Sequence, residues 1–220
     1  MDNDLAVRID DIIRKKSLLR HPFYQAWAQG TLPLKSLRQY AGQYYHFELA
    51  YPTFLSGLHH RCSDQRIRQL LLDNLWDEEH GPENHVELWL RFCDGLGVDR
   101  HEVQGGEPSR DTAALVGLYK DLTAKASVPA GTAALYAYES QVPEVARTKL
   151  NGLRRFYGIG DKRASSFFEV HQAMDEEHSA AEKEIVVELA STDAEQSATL
   201  DAVETATESL WRFLDGVYGE

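Results

Sequence analysis

Apolar residues recur at three- and four-residue steps along nearly the whole chain, the spacing that lines one face of a helix. Leu5, Ile9, Ile12, Ile13 and Leu19 predict a first amphipathic helix. His21-Pro22 restarts the chain, since proline suits the first turn of a helix. A short helix with Phe23, Tyr24 and Trp27 then runs to Gly30. Residues from about 34 to 61 predict a long helix rich in aromatics, including Tyr40, Tyr44, Tyr45, Phe47, Tyr51 and Phe54. Another long helix is predicted from Asp64 to about Leu96, closed by Gly95 and Gly97. The polar, glycine-bearing stretch 99–110 reads as a loop, and Asp111 can cap a helix to about Ala126. Pro129 opens a helix to about Tyr157, and Gly158-Ile159-Gly160-Asp161 is a turn. Ser165 or Ser166 starts a helix to about Ala190, and the last helix spans roughly 193–217. No strand-like alternation, internal repeat or dividing linker interrupts this pattern. The expectation is an all-α bundle of seven or eight helices, one domain over residues 1–220.

Three places break the apolar rhythm with ligand-type residues. His171, Asp175 and His178 sit at i, i+4 and i+7, on one helical stripe flanked by Phe168, Met174 and Ala181. Two imidazoles and a carboxylate on an inward stripe are costly to bury unless compensated, and a metal ion compensates them directly. A solvated His/Asp face would carry the same residues. Glu78 and His85 are two turns apart on one predicted helix, near Leu71, Leu75 and Trp89. Glu79 falls off that stripe, and His80 and Glu83 point outward. Glu139 ends the apolar run Ala133 to Tyr138, as either an internally partnered acid or a boundary carboxylate. Together these make three carboxylates and three imidazoles, the mixed set of helix-bundle di-metal sites. Oxygen and imidazole ligands suit iron or manganese, and the lack of thiolates argues against structural zinc. Six protein ligands on two ions leave positions for dioxygen.

Prolines add a pattern. A proline deprives the carbonyl four residues earlier of its hydrogen bond. Pro82 does so to Glu78 and Pro143 to Glu139, but Pro52 does the same to Glu48, which the spacing does not assign as a ligand.

The formal net charge of -12 disfavours nucleic acid and anionic membrane surfaces as partners. Cys62 and Cys93 form no framework and read as buried, reduced thiols. The acidic start MDNDLAVRIDD lacks an apolar signal core, and no stretch approaches the ~20 apolar residues of a membrane span, so a cytoplasmic protein is expected. Exposed aromatics on the second long helix would suit a homodimer.

Glu78-x6-His85, the lone Glu139 and His171-x3-Asp175-x2-His178 resemble the haem-oxygenase-like di-metal oxidases. That superfamily shares its helical fold with haem oxygenase, thiaminase II-type proteins and the pyrroloquinoline quinone synthase. The resemblance spans nearly the whole chain and points within the superfamily to the CADD-type, death-domain-associating proteins that make para-aminobenzoate for folate. It implies a dinuclear centre, Fe/Fe or Mn/Fe, with dioxygen and an external reductant as co-substrates and an electron donor the sequence does not name. It also implies self-sacrifice, in which one tyrosine of the chain supplies the aromatic ring and one lysine the amino group. The matching residues are Tyr24, in His21-Pro22-Phe23-Tyr24-Gln25-Ala26-Trp27, and Lys149, in Arg147-Thr148-Lys149-Leu150. Tyr40 and Tyr138 match further aromatic positions, and Phe167 stands where the resemblance implies a tyrosine. On their own, Tyr24 reads as a packing tyrosine and Lys149 as a surface lysine. Two other readings stay open: a di-iron oxidase of an external amino acid or fatty acid, and a death-domain-type partner-binding protein with a structural metal site. Haem oxygenase activity would need an axial histidine on the first helix, and residues 1–20 contain none.

Overall fold

A computed structural model of the chain describes residues 2–219, and their side chains except those of 2–3 and 173–176. Regular structure among the described residues is helical throughout, as the apolar spacing predicts. The helices are α1 (Asp2–Lys15), α2 (Pro22–Gln29), α3 (Leu34–Arg61), α4 (Gln65–Glu79), α5 (His85–Gly95) and α6 (Arg100–Gly105), then α7 (Arg110–Lys125), α8 (Val128–Glu139), α9 (Val142–Phe156), α10 (Lys162–Leu189) and α11 (Asp193–Tyr218). A 3-10 turn, Leu18–Arg20, joins α1 to α2.

More helices appear than the sequence predicts because two predicted long helices are each split beside a proline and the predicted 99–110 loop holds a short one. The 64–96 helix ends at Glu79; His80 turns extended, Gly81 takes φ 82°, and Asn84 caps α5 by accepting the Glu87 N–H. A left-handed backbone at Gly81 carries no steric penalty. Glu78 and His85 therefore lie on two helices, not on one stripe, and are joined across a tight corner. The 129–157 helix breaks at Ser140 and Gln141, with Pro143 in the first turn of α9, so Glu139 is the last residue of α8. The predicted 99–110 loop contains the short helix α6, capped by Asp99, and Asp161 rather than a serine caps α10.

One apolar cluster runs from Leu5 to Val217. Helix α10 packs against α8, α9 and α5, while α3 packs against α4, α5 and α7. Every residue of α8 from Pro129 to Glu139 is buried, so its polar end is carried into the interior. Tyr40, Tyr44, Tyr45, Phe47, Tyr51 and Phe54 of α3 are all buried in this chain's own core. Trp76 of α4 is exposed and stacks on His80. Cys62 and Cys93 are buried and free. No described helix is long and apolar enough to cross a membrane.

Candidate metal centre and adjoining amine pocket

Two helix ends and two helix interiors converge on a cluster of acids and imidazoles. Glu78 closes α4 and His85 opens α5, which places His85 Nδ1 2.8 Å from Glu78 Oε2. The contact is ionic: neither atom has a partner in hydrogen-bonding geometry among the described residues. From α10, the His171 ring lies 4.3 Å from the His85 ring, centre to centre. Its Nδ1 lies 2.8 Å from the Phe167 carbonyl, which can only accept, so Nδ1 carries the proton and Nε2 the lone pair. Glu48 of α3 reaches the same point: it, His85 and His171 each offer a ligand atom within 4.8 Å of the others. All four residues are buried.

Glu139 enters from the end of α8. Its Oε1 accepts from the Tyr51 hydroxyl and, at 2.9 Å, from Asn74 Nδ2, while Oε2 has no such partner among the described residues. His178 sits at the rim, its Nε2 3.1 Å from Asp77 Oδ2, within electrostatic reach of Glu139. The side chain of the sixth predicted ligand, Asp175, lies outside the described residues. A surface cleft of about 590 Å³ lined by Leu88, Arg91 and Val170 reaches His85 from outside.

Charge is under tension throughout the cluster. Burial, aided by the neighbouring Glu78, pushes the Glu48 carboxyl up to about 8. Burial raises Glu139 as well. For His85, burial opposes the charged form, but Glu78, Glu48 and Asp77 together outweigh it and lift the imidazole to about 9. Burial and the neighbouring His85 hold His171 neutral, well below its ordinary value. Buried carboxylate oxygens without donors beside a neutral imidazole are what a cation needs and an apolar core does not. The donor set, carboxylate oxygen and imidazole nitrogen without sulfur, fits iron or manganese. The residues thus fit a metal centre.

A second pocket adjoins the first. Lys149 of α9 is buried, and its Nζ donates to the Tyr40 hydroxyl at 2.7 Å. It also lies 5.5 Å from the centre of the Tyr24 ring and 5.3 Å from that of Tyr44. The Tyr24 and Tyr40 hydroxyls are 3.3 Å apart. Burial lowers the Lys149 amine to about 7, although Glu48 pulls it upward. Burial drives the Tyr24, Tyr40 and Tyr44 phenols far above their ordinary range, so all three stay protonated. Tyr44 hydrogen-bonds the Tyr138 hydroxyl and lies within electrostatic reach of Glu48, so it stands between this pocket and the acid cluster. Phe167 packs against His171 and Trp89, 4.0 and 4.8 Å between ring centres. The cavity between these aromatic walls is about 20 Å³, room for about one water.

Sequence spacing missed Glu48, Tyr51, Asn74 and Asp77. For Glu48 a signal existed, since it shares one helical face with Tyr44, Tyr51 and Leu55, and Pro52 follows four residues later. It also missed Glu182, buried one turn beyond His178 and near Tyr51 and Tyr119.

Residues 38–211 match the model of a family described as iron-containing redox enzyme. The chain is 41% identical to a 4-aminobenzoate synthase of Nitrosomonas europaea, over 98% of this chain and 92% of that one. It is 40% identical to a 4-aminobenzoate synthase of Chlamydia muridarum, over 94% and 87% of the two chains. Among solved structures it superimposes on a TenA homologue from Pseudomonas syringae with a TM-score of 0.86 at 17% identity, over 99% and 92% of the two chains. That likeness bears on the fold alone.

Proposed function

The chain belongs to the iron-containing redox enzymes, and on that premise we propose that it makes 4-aminobenzoate by consuming its own Tyr24 ring and the amino group of Lys149. The observation that carries this reading is the distance of 5.5 Å between the Lys149 amine and the Tyr24 ring, inside a buried pocket next to the acid cluster. A tyrosine side chain already has a ring bearing one carbon and a para oxygen. The product needs a ring bearing one oxidised carbon and a para nitrogen. The Cα–Cβ bond of Tyr24 breaks, leaving glycine at that position, and Cβ is oxidised to the carboxylate. The Lys149 nitrogen bonds to the ring carbon that loses the phenol oxygen as water, and its own Cε–Nζ bond breaks as Cε is oxidised to an aldehyde. Dioxygen is the oxidant, and an external reductant supplies the balancing electrons.

Glu78, His85, Glu139, His171, Asp175 and His178 would hold two ions, Fe/Fe or Mn/Fe. Bound there, the ions would supply the activation of dioxygen. The rest falls to the chain itself. An amine held near 7 carries a lone pair at neutral pH, as a nitrogen donor must. The Tyr40 hydroxyl touches both the amine and the Tyr24 hydroxyl, so it can hold or pass a proton between them. Packed aromatic walls leave space for about one water, which excludes competing hydrolysis and bulky outside substrates. Tyr138 acts through Tyr44, whose hydroxyl it fixes.

The test is intact-protein mass spectrometry with product analysis after metal loading, reduction and exposure to oxygen. One 4-aminobenzoate or fewer per chain, with the mass loss mapped to Tyr24, supports the reading. Oxygen consumption with an intact Tyr24, or many products per chain, overturns it in favour of an external substrate.

A further inference from the structure

We propose that Glu48 is itself a ligand of the metal centre, on the ion that His85 and His171 hold. The inference rests on the metal-centre part of the reading above but not on the product or on the fate of Tyr24.

Geometry carries it. Glu48 comes from α3, a helix that contributes none of the six ligands expected from spacing, yet its carboxylate converges with His85 and His171 to within 4.8 Å. Metal–ligand bonds of about 2.0–2.2 Å place any two ligand atoms of one ion roughly 3–4 Å apart, so this triangle needs only a small contraction to close. Glu48 is 3% exposed, and its Oε1 has no hydrogen-bond partner among the described residues. The other demands on the carboxylate are the charge of His85, the charge of Lys149 from the amine pocket and the Tyr44 hydroxyl. Opposing them is Glu78, a second buried acid that contacts His85. Two carboxylates beside one imidazole in an apolar interior repel each other, and a divalent ion held among them removes that cost.

Pro52 supports the assignment independently. It lies inside α3 four residues after Glu48, so the Glu48 carbonyl lacks its helical hydrogen bond and the helix is locally relieved at the site. Glu78 and Glu139 stand in the same relation to Pro82 and Pro143, except that there the helices end. Glu48 thus completes a set of three buried acids, each followed by a proline at the fourth position.

The test is anaerobic titration of the metal-free protein and of Glu48→Gln with Fe(II), and separately with Mn(II). Ions bound per chain are read by calorimetry and by metal analysis after desalting, and the melting temperature of each metal-free protein is measured. The expected result is two ions in the wild type, and in E48Q one ion weakened at least about tenfold. The metal-free E48Q is expected to melt no lower than the wild type, because glutamine keeps the shape and cannot ionise. Two ions at wild-type affinity in E48Q overturn the proposal. So does an E48Q chain that melts much lower or fails to fold without metal, which would make Glu48 a structural group or the counter-charge of Lys149. If the wild type itself binds no ion, the metal-centre reading fails first, and that result is distinct from the other two.

Discussion

The Nζ of Lys149 lies 2.7 Å from the Tyr40 hydroxyl, and the Tyr24 hydroxyl lies 3.3 Å from that same oxygen. One phenol therefore sits between an amine and a second phenol, with Phe168 and Trp89 also close to the amine. Such a site holds a lysine at a cost in stability, because burial disfavours the ammonium.

That cost gives a pH signature. The Lys149 amine falls from 10.5 to about 7 on folding. Between those values the unfolded chain binds one more proton than the folded one at this group, so its contribution to stability rises with pH across that window. Lys149→Met removes the group. The variant is expected to be more stable than the wild type by about 2 kcal/mol near pH 7.5, with the gain shrinking towards pH 10.5. Urea unfolding of both proteins at the two pH values measures it, and subtracting one from the other cancels every titrating group not coupled to Lys149, as Glu48 and His171 are. A gain that stays constant with pH would place the amine's folded value near its ordinary one.

Tyr24→Phe separates the chemistry from the scaffold. Phenylalanine keeps the ring and its packing against Phe23 and Trp27 but removes the oxygen that the amine is to replace. The expected outcome is complete loss of 4-aminobenzoate with unchanged metal content, read by product chromatography and metal analysis. Sustained product formation would move the source of the ring elsewhere.

The helical character of the chain was readable because apolar spacing reports burial directly, and α3 runs where its pattern predicts. The breaks at Gly81 and at Ser140 were not, although Pro82 and Pro143 stood in plain view. A proline marks a helix start and an internal kink equally well, and tertiary packing decides between them. The same ambiguity hid how Glu78 meets His85: an argument from one helical stripe paired two residues that do meet, but across a corner between two helices. Lys149 and Tyr24 were singled out only through family resemblance. Nothing local distinguishes a lysine that a neighbouring helix will cover from one that stays in water. Glu48 was passed over because a lone acid among tyrosines has no spacing partner on its own helix; its partners come from α5 and α10.

Glu139 is held by two donors on a single oxygen, Tyr51 and Asn74, which leaves its Oε2 turned away from them. Tyr51→Phe removes one donor without changing the shape of the ring. The carboxylate then loses part of its orientation, and metal affinity is expected to fall about tenfold, with a stability loss of about 1 kcal/mol in the metal-free protein. Calorimetric titration with Fe(II) and thermal melting read the two effects separately. An unchanged affinity would show that Asn74 alone fixes the carboxylate.

Gly152 sets how closely α9 approaches α2, and through them how Lys149 meets Tyr24. A Cβ at this position would lie 2.5 Å from Trp27 Cδ1 and 3.1 Å from the Trp27 carbonyl oxygen. Trp27 is fully buried and stacked beside Tyr24, so it cannot yield without moving α2. Gly152→Ala is therefore expected to destabilise the fold by about 1–3 kcal/mol even though alanine is the better helix former. The displacement acts on the helix that carries Tyr24, while the acid cluster, built on α3, α4, α5, α8 and α10, stays in place. Metal binding should hold near the wild-type level and the yield of 4-aminobenzoate per chain should fall. Yield and metal content measured on the same G152A sample decide it. A parallel loss of both would mean the two pockets fold as one unit, whereas loss of product alone would locate the requirement in the spacing between Lys149 and Tyr24.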